Sequence, residues 1–236
     1  MKINKFLLLL FLPVSLFAQE IDPGARIIIS ISTGLEDASF YIYNPPFLAK
    51  PIYGDTLEAI NQFPEQLMSS ILSANTQDWI NYNTLGGEEY AEQKSNAYFR
   101  SISNLIEDSN YYELRAKLMF AENGNEYAII KFYLKLETQN EDYSGAYVMK
   151  KVNNRWYKTS TPFTTKLALM IMRFKESILS ELIFSDSSEN EMVNDLIDII
   201  KPNGFIDFNL LYEEFKTWYD SNDEEKIALF IDQNSW

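Results

Sequence analysis

Residues 111–160 read YYELRAKLMFAENGNEYAIIKFYLKLETQNEDYSGAYVMKKVNNRWYKTS, and the fold turns on them. Apolar and polar side chains alternate with a period of two, the spacing of a strand. The alternation predicts four consecutive strands, at 111–120, 127–136, 143–152 and 155–160. Asn123-Gly124 supplies the residues that a two-residue hairpin turn requires, and Asn153-Asn154 supplies a second such pair. Strands joined this closely pair antiparallel, as a meander.

Upstream, Arg26–Ser32 and Ser39–Tyr43 are rich in β-branched and aromatic residues and read as strands. Pro45, Pro46 and Pro51 then predict a connecting loop from Asn44 to Gly54. A helix starts at Pro64, with Leu67, Met68, Ile71 and Leu72 as its apolar stripe. After Gly86-Gly87 a second helix is predicted over 88–106, with Ala91, Tyr98, Ile102 and Leu105 on one face. Downstream of the strands, 166–184 carries Leu167, Met170, Ile171, Phe174, Ile178 and Leu182 on one helical face, and shorter helices are predicted over 189–200, 207–219 and 222–232. Helices, a meander and more helices make an α+β chain.

The N-terminus places Lys2 and Lys5 before an apolar run that ends at Leu16-Phe17-Ala18, the order of a cleavable secretory signal cut near Ala18. The run is shorter than the roughly 20 residues needed to cross a bilayer, so no membrane anchor is expected after cleavage. The expected location is the periplasm or the exterior. Removing residues 1–18 leaves 218 residues with 18 Lys+Arg against 34 Asp+Glu, a net −16. A field of that sign repels phosphate backbones and anionic headgroups, which excludes nucleic acid as a partner.

The chain has neither histidine nor cysteine. Histidine-dependent triads, thiol nucleophiles, the usual zinc sites and disulfides are therefore excluded, and neither a metal nor a cofactor is expected. Any catalysis would fall to carboxylates, Tyr, Ser/Thr, Lys and Arg. Of two acidic stretches, Asp220–Glu225 lacks the glycine and distal glutamate of a calcium loop and reads as a charged helix start, and Ser185–Glu191 reads as an inter-helix loop with a capping Ser.

Two stretches carry a family resemblance. Ile71-Leu72-Ser73-Ala74-Asn75-Thr76-Gln77-Asp78-Trp79 is similar to the end of the first helix of the NTF2-like cone fold, the fold of the SnoaL and ketosteroid-isomerase branches. Residues 146–158, AYVMKKVNNRWYK, are similar to its closing hairpin with a tryptophan after the turn. The resemblance implies a curved antiparallel sheet packed on helices over 61–162, with a pocket at the open end of the cone. It would be preceded by a signal at 1–18 and a strand-bearing segment at 19–60, and followed by an acidic helical extension at 163–236. Some members of the family are enzymes and many are binding or oligomerisation modules. The acid, Tyr and His groups of the catalytic branches have no motif here onto which they can be carried.

Alternation assigns one sheet face to Tyr112, Leu114, Ala116, Leu118, Phe120, Ala128, Ile130, Phe132, Leu134, Leu136, Ala146, Val148 and Val152, all uncharged. The other face takes Glu113, Arg115, Lys117, Lys131, Lys135, Glu137 and Lys151 among Tyr127, Ile129, Tyr133, Tyr143, Tyr147 and Met149. Residues 113–158 hold eight Lys+Arg and six Asp+Glu, whereas 185–236 hold three lysines and thirteen acids. The acidic C-terminal helices, or a partner such as a second copy forming a homodimer, are expected to cover that Tyr- and Lys-bearing face. Asp78 is the catalytic candidate; Trp79, Tyr127, Tyr133, Tyr147, Lys131 and Lys135 are the binding candidates. The expected function is an exported, non-enzymatic binding or scaffold protein for a small apolar ligand or another exported protein. The alternative is a carboxylate- or tyrosine-dependent hydrolase or isomerase working in the cone.

Overall fold

The predicted strands form, and with two upstream strands they build one six-stranded antiparallel sheet in sequential order. The strands are β1 (Gly24–Ile29), β2 (Leu35–Ala49), β3 (Tyr111–Glu122), β4 (Asn125–Lys135), β5 (Tyr143–Val152) and β6 (Arg155–Lys158). Among the described residues six helices accompany them: α1 (Pro64–Ser73), α2 (Gln77–Asn83), α3 (Pro162–Arg173), α4 (Glu176–Phe184), α5 (Glu191–Ile200) and α6 (Phe208–Ser221). The computed structural model describes residues 24–29, 35–86, 110–135, 143–201 and 208–221. The signal segment, the helices expected over 88–106 and 222–232, and residues 30–32 of the first expected strand lie outside the described residues.

Both Asn-containing turns have positive φ at their two central residues, 51° and 71° at Asn123 and Gly124 and 50° and 63° at Asn153 and Asn154. That twist matches the flanking strands.

Arg115 is where the alternation breaks. Leu114 pairs with Phe132 and Ala116 with Lys131, so β3 carries one extra residue opposite β4. A bulge of this kind turns the side chains beyond it to the opposite face. Tyr112 and Leu114 therefore face α1, while Ala116, Leu118 and Phe120 face α3. The single uncharged face expected from alternation is thus corrected: its β3 members divide at the bulge. A second correction concerns β5. Ile130 pairs with Tyr147 and Ile129 with Val148, so the odd residues of β5 share a face with the even residues of β4.

β2 accommodates the same irregularity. Ile42 pairs with Ala116 and Phe47 with Leu114, leaving 43–46 opposite Arg115. Pro45 and Pro46, expected in a loop, thus stand within a strand that runs on to Ala49. Proline is tolerated there because a bulge asks no ladder hydrogen bond of it.

Both faces of the sheet are filled. On one, Leu67, Met68, Ile71 and Leu72 of α1 pack on Tyr43, Ala49, Tyr112, Leu114, Ile130, Phe132, Leu134, Met149 and Trp156. On the other, α3 to α6 bring Leu167, Met170, Ile171, Phe174, Leu182, Val193, Ile197 and Phe215 against Phe40, Leu118, Phe120, Ile129 and Val148. Each large side chain taken fully out of water contributes about 1.5–3 kcal/mol, so both layers stabilise the sheet.

Two helix boundaries differ from expectation. The single helix predicted over 166–184 is two, because Phe174 adopts extended ψ (141°) and its carbonyl accepts a hydrogen bond from Lys131 Nζ. The chain around Asp78 is not the end of α1: Thr76 caps a new helix by accepting from Trp79 N, which puts Asp78 in the first turn of α2.

Candidate functional site

The sequence candidates divide into three places. Asp78 is exposed on the first turn of α2, while its neighbour Trp79 is buried at 4% exposure. Trp79 Nε1 donates to Ser70 Oγ (3.0 Å), Ser70 donates to Asn83 Oδ1 (2.8 Å), and Asn61 Nδ2 donates to the same oxygen (3.1 Å). This polar chain ties α1 to α2 beneath the 50–63 connection. Asp78 takes no part in it.

Tyr147 lies on the α1 face, edge-on to Tyr112 and tilted against Phe132 at 4.8 Å, with its hydroxyl 3.1 Å from that of Tyr112. Tyr127 lies on the α3 face, stacked on Phe120 at 5.3 Å. These two binding candidates are therefore separated by the sheet.

Lys131, Tyr133 and Lys135 come together on the α3 face, with partners from β3 and α4. Lys131 is fully buried and pairs with Glu176 Oε1 at 2.9 Å. Glu176 Oε2 accepts from Arg115 Nε and Nη2 (3.3 and 3.2 Å), and Arg115 Nη1 donates to Glu113 Oε1 at 2.6 Å. Lys135 approaches Glu113 at 3.8 Å. The Arg115 guanidinium and the ammonium groups of Lys131 and Lys135 all lie 5.1–5.8 Å from the Tyr133 ring centroid. Burial alone would lower the pKa of Arg115, but Glu176 and then Glu113 outweigh it and hold the value above its ordinary range. The bulge matters here: it turns Arg115 toward α4, and Glu176 stands at the first position of α4, where a carboxylate also suits the helix dipole.

A second acid, Glu65, was not singled out by the sequence reading. It is 6% exposed, accepts from Tyr43 Oη at 2.6 Å and pairs with Lys117 at 2.6 Å. Lys117 also lies over the Tyr41 and Tyr43 rings, at 5.2 and 5.8 Å. Burial, then the neighbouring Glu65 carboxylate, pushes the Tyr43 phenol well above its ordinary pKa, so it stays protonated and acts as a donor. Partners 22 and 52 residues apart leave no local signal; the bulge that turns Lys117 toward α1 is what brings them together.

Chemically, the acids of these clusters are already paired. Glu65 is held between a phenol and an ammonium and Glu176 between a guanidinium and an ammonium, each on a helix packed against the sheet, while Arg115, Glu113 and Lys135 stay partly exposed. Among the described residues no group of three or more acids could hold a metal ion, and no helix is long and apolar enough to cross a membrane.

The surface is less closed. Ile52, Leu57, Ile60 and Phe63 of the connection between β2 and α1 are 66%, 86%, 49% and 55% exposed. Beside this connection, the Arg155 guanidinium stacks 3.4 Å from the Tyr82 ring centroid and 4.6 Å from that of Tyr157. No protein-family model matches this chain, and neither a curated protein nor a solved structure is detectably similar to it.

Proposed function

We propose that this is an exported, non-enzymatic binding or scaffold protein that works through its surface, with residues 61–162 as an NTF2-like centre and the acidic helices after 162 as an extension covering its outer face. The observation that carries the functional reading is the filling of both sheet faces, with Glu65 and Glu176 already engaged by cations inside. A catalytic acid or base must meet substrate within hydrogen-bond reach, and among the described residues Glu65 is engaged by Tyr43 and Lys117 and Glu176 by Arg115 and Lys131. What the interior does not use, the surface offers: Ile52, Leu57, Ile60 and Phe63 stand exposed along one connection, and exposed apolar side chains gathered in one place mark interaction sites. Export rests on the signal-like order of residues 1–18, and the NTF2-like reading on antiparallel strands following α1 and α2.

Native mass spectrometry on mature protein purified from its own cell envelope tests the reading. A protein-mass adduct, or multiples of the chain mass, is the expected result. A small-molecule adduct that leaves on denaturation would overturn it in favour of a hydrolase or isomerase pocket.

A further inference from the structure

The junction where the 50–63 connection meets α1, α2 and β6 is polar and withdrawn from solvent. Asn61 is fully buried and Asn83 is 2% exposed. Asn61 has a φ of 51°, in the left-handed region that asparagine tolerates better than most residues, and its carbonyl accepts from Trp156 N at 2.8 Å. Its side chain reaches α2. Asn61 Nδ2 donates to Asn83 Oδ1 at 3.1 Å, the same oxygen accepts from Ser70 Oγ at 2.8 Å, and Ser70 Oγ in turn accepts from Trp79 Nε1 at 3.0 Å. Ala59, Ala74 and Trp79 form a small buried apolar cluster beside these groups. The junction therefore fixes the stretch of chain that carries exposed Ile60 and Phe63.

Its hydrogen bonding is incomplete at two atoms. Asn61 Oδ1 and Asn83 Nδ2 are buried and meet no hydrogen-bonding group among the described residues. A buried polar atom left unpaired forfeits the bond it makes to water in the unfolded chain, so folded interiors nearly always supply a partner. The orientation of the amides does not supply it. Exchanging oxygen and nitrogen on both side chains keeps the Asn61–Asn83 bond but leaves the same two positions unpaired, and it takes the acceptor away from the Ser70 hydroxyl. Exchanging one alone sets oxygen against oxygen or nitrogen against nitrogen.

We propose that one ordered water molecule is bound between Asn61 Oδ1 and Asn83 Nδ2 and completes the junction. The chemistry of the two atoms selects water. One accepts and the other donates, so the occupant must donate and accept at once. A metal cation has no lone pair for Nδ2, and an anion has no proton for Oδ1. Burial of both residues admits only the smallest molecule that does both. The two atoms belong to amides already joined by a hydrogen bond, which holds them near each other. Fastened in this way, the connection presents Ile60 and Phe63 on a fixed backbone, and a surface ordered in advance pays less entropy on binding. The bound water does not depend on the binding reading: a dry junction would leave that reading standing, and a small-molecule adduct in the envelope spectrum would leave the water.

A crystal structure of the mature protein, at a resolution that shows ordered solvent, tests this directly. The expected result is a solvent peak within about 3.2 Å of both Asn61 Oδ1 and Asn83 Nδ2. The result that would overturn the proposal is a dry junction, in which Asn83 Nδ2 has closed onto Asn61 Oδ1 to make a two-bonded amide pair, or in which either atom bonds another group of the chain. Nuclear magnetic resonance on the same protein decides the question in solution. A rotating-frame Overhauser cross-peak between water and the Asn83 side-chain amide protons, of the sign that marks a long-lived bound molecule and not proton exchange, is expected; its absence counts against the water as a dry crystal does.

Discussion

Gly145→Ala tests the register on which both layers depend. Gly145 pairs with Phe132 across β4 and β5, and a Cβ built on it would lie 2.6, 2.9 and 3.3 Å from three carbons of the Phe132 ring. Carbon atoms rest at about 3.5–4.0 Å, so the ring must retreat by close to 1 Å. It has little room to do so. Phe132 is 5% exposed and is held between Tyr112 and Tyr147, at 4.4 and 4.8 Å between centroids. Overpacking of this kind costs about 1–3 kcal/mol. Alanine returns about 0.5–1 kcal/mol by restricting the unfolded chain, which leaves a net loss of up to about 2.5 kcal/mol. In a chain this size that lowers Tm by about 2–4 °C per kcal/mol, and urea unfolding reads the same loss as a shifted midpoint at constant slope.

The partner substitution makes the experiment specific. Phe132→Ala alone removes a buried ring, at about 3–5 kcal/mol. Added to it, Gly145→Ala meets no ring and is expected to be neutral or slightly stabilising. The coupling in the double-mutant cycle then equals the overpacking cost, about 1–3 kcal/mol. An equal cost for Gly145→Ala in both backgrounds, or a stabilised single variant, would show that Phe132 and Gly145 do not share a face.

Two further outcomes follow from the buried charges. Glu176→Ala leaves Lys131 buried without that carboxylate and is expected to cost about 3–5 kcal/mol by chemical denaturation, whereas Lys131→Met/Glu176→Met recovers much of the loss; a cost below about 1 kcal/mol for Glu176→Ala would mean that Lys131 is not paired in solution. Tyr43 has a pKa raised in the folded state, so above the ordinary phenol value near 10 the unfolded chain releases its proton first. Stability contributed by the protonated phenol is fully present below that pH and is lost as pH rises toward the folded value. Tyr43→Phe is expected to flatten this alkaline fall in Tm, and an identical fall in the variant would refute the assignment.

The element order was largely legible from local signals. Alternation located the four central strands, Asn123-Gly124 and Asn153-Asn154 formed the turns their residues favour, and Pro64 opened α1. What failed was face assignment, and the cause is specific. Apolar residues occupy every even position from Tyr112 to Phe120, so the sequence offers no sign that Arg115 interrupts the count. Parity between β4 and β5 depends on the connection between them, whose length in residues does not determine register. A bulge or register is settled by packing across strands, which a single strand's pattern does not contain.

One clue to the second layer was nonetheless present. Tyr127 to Phe132 reads Tyr-Ala-Ile-Ile-Lys-Phe, and the structure buries all six. Strict alternation is the mark of a strand with one wet face; a nearly continuous apolar run is the mark of a strand covered on both. The run has one exception, Lys131, and a charge in such a strand is stable only if something arrives to pair with it. It receives Glu176 and the Phe174 carbonyl, both supplied where the long C-terminal helix breaks. The lysine, the interrupted helix and the covered sheet are thus one feature: burying Lys131 requires an acceptor, the acceptor is an unwound turn, and that turn separates α3 from α4 and places Glu176 at the start of α4 over the sheet.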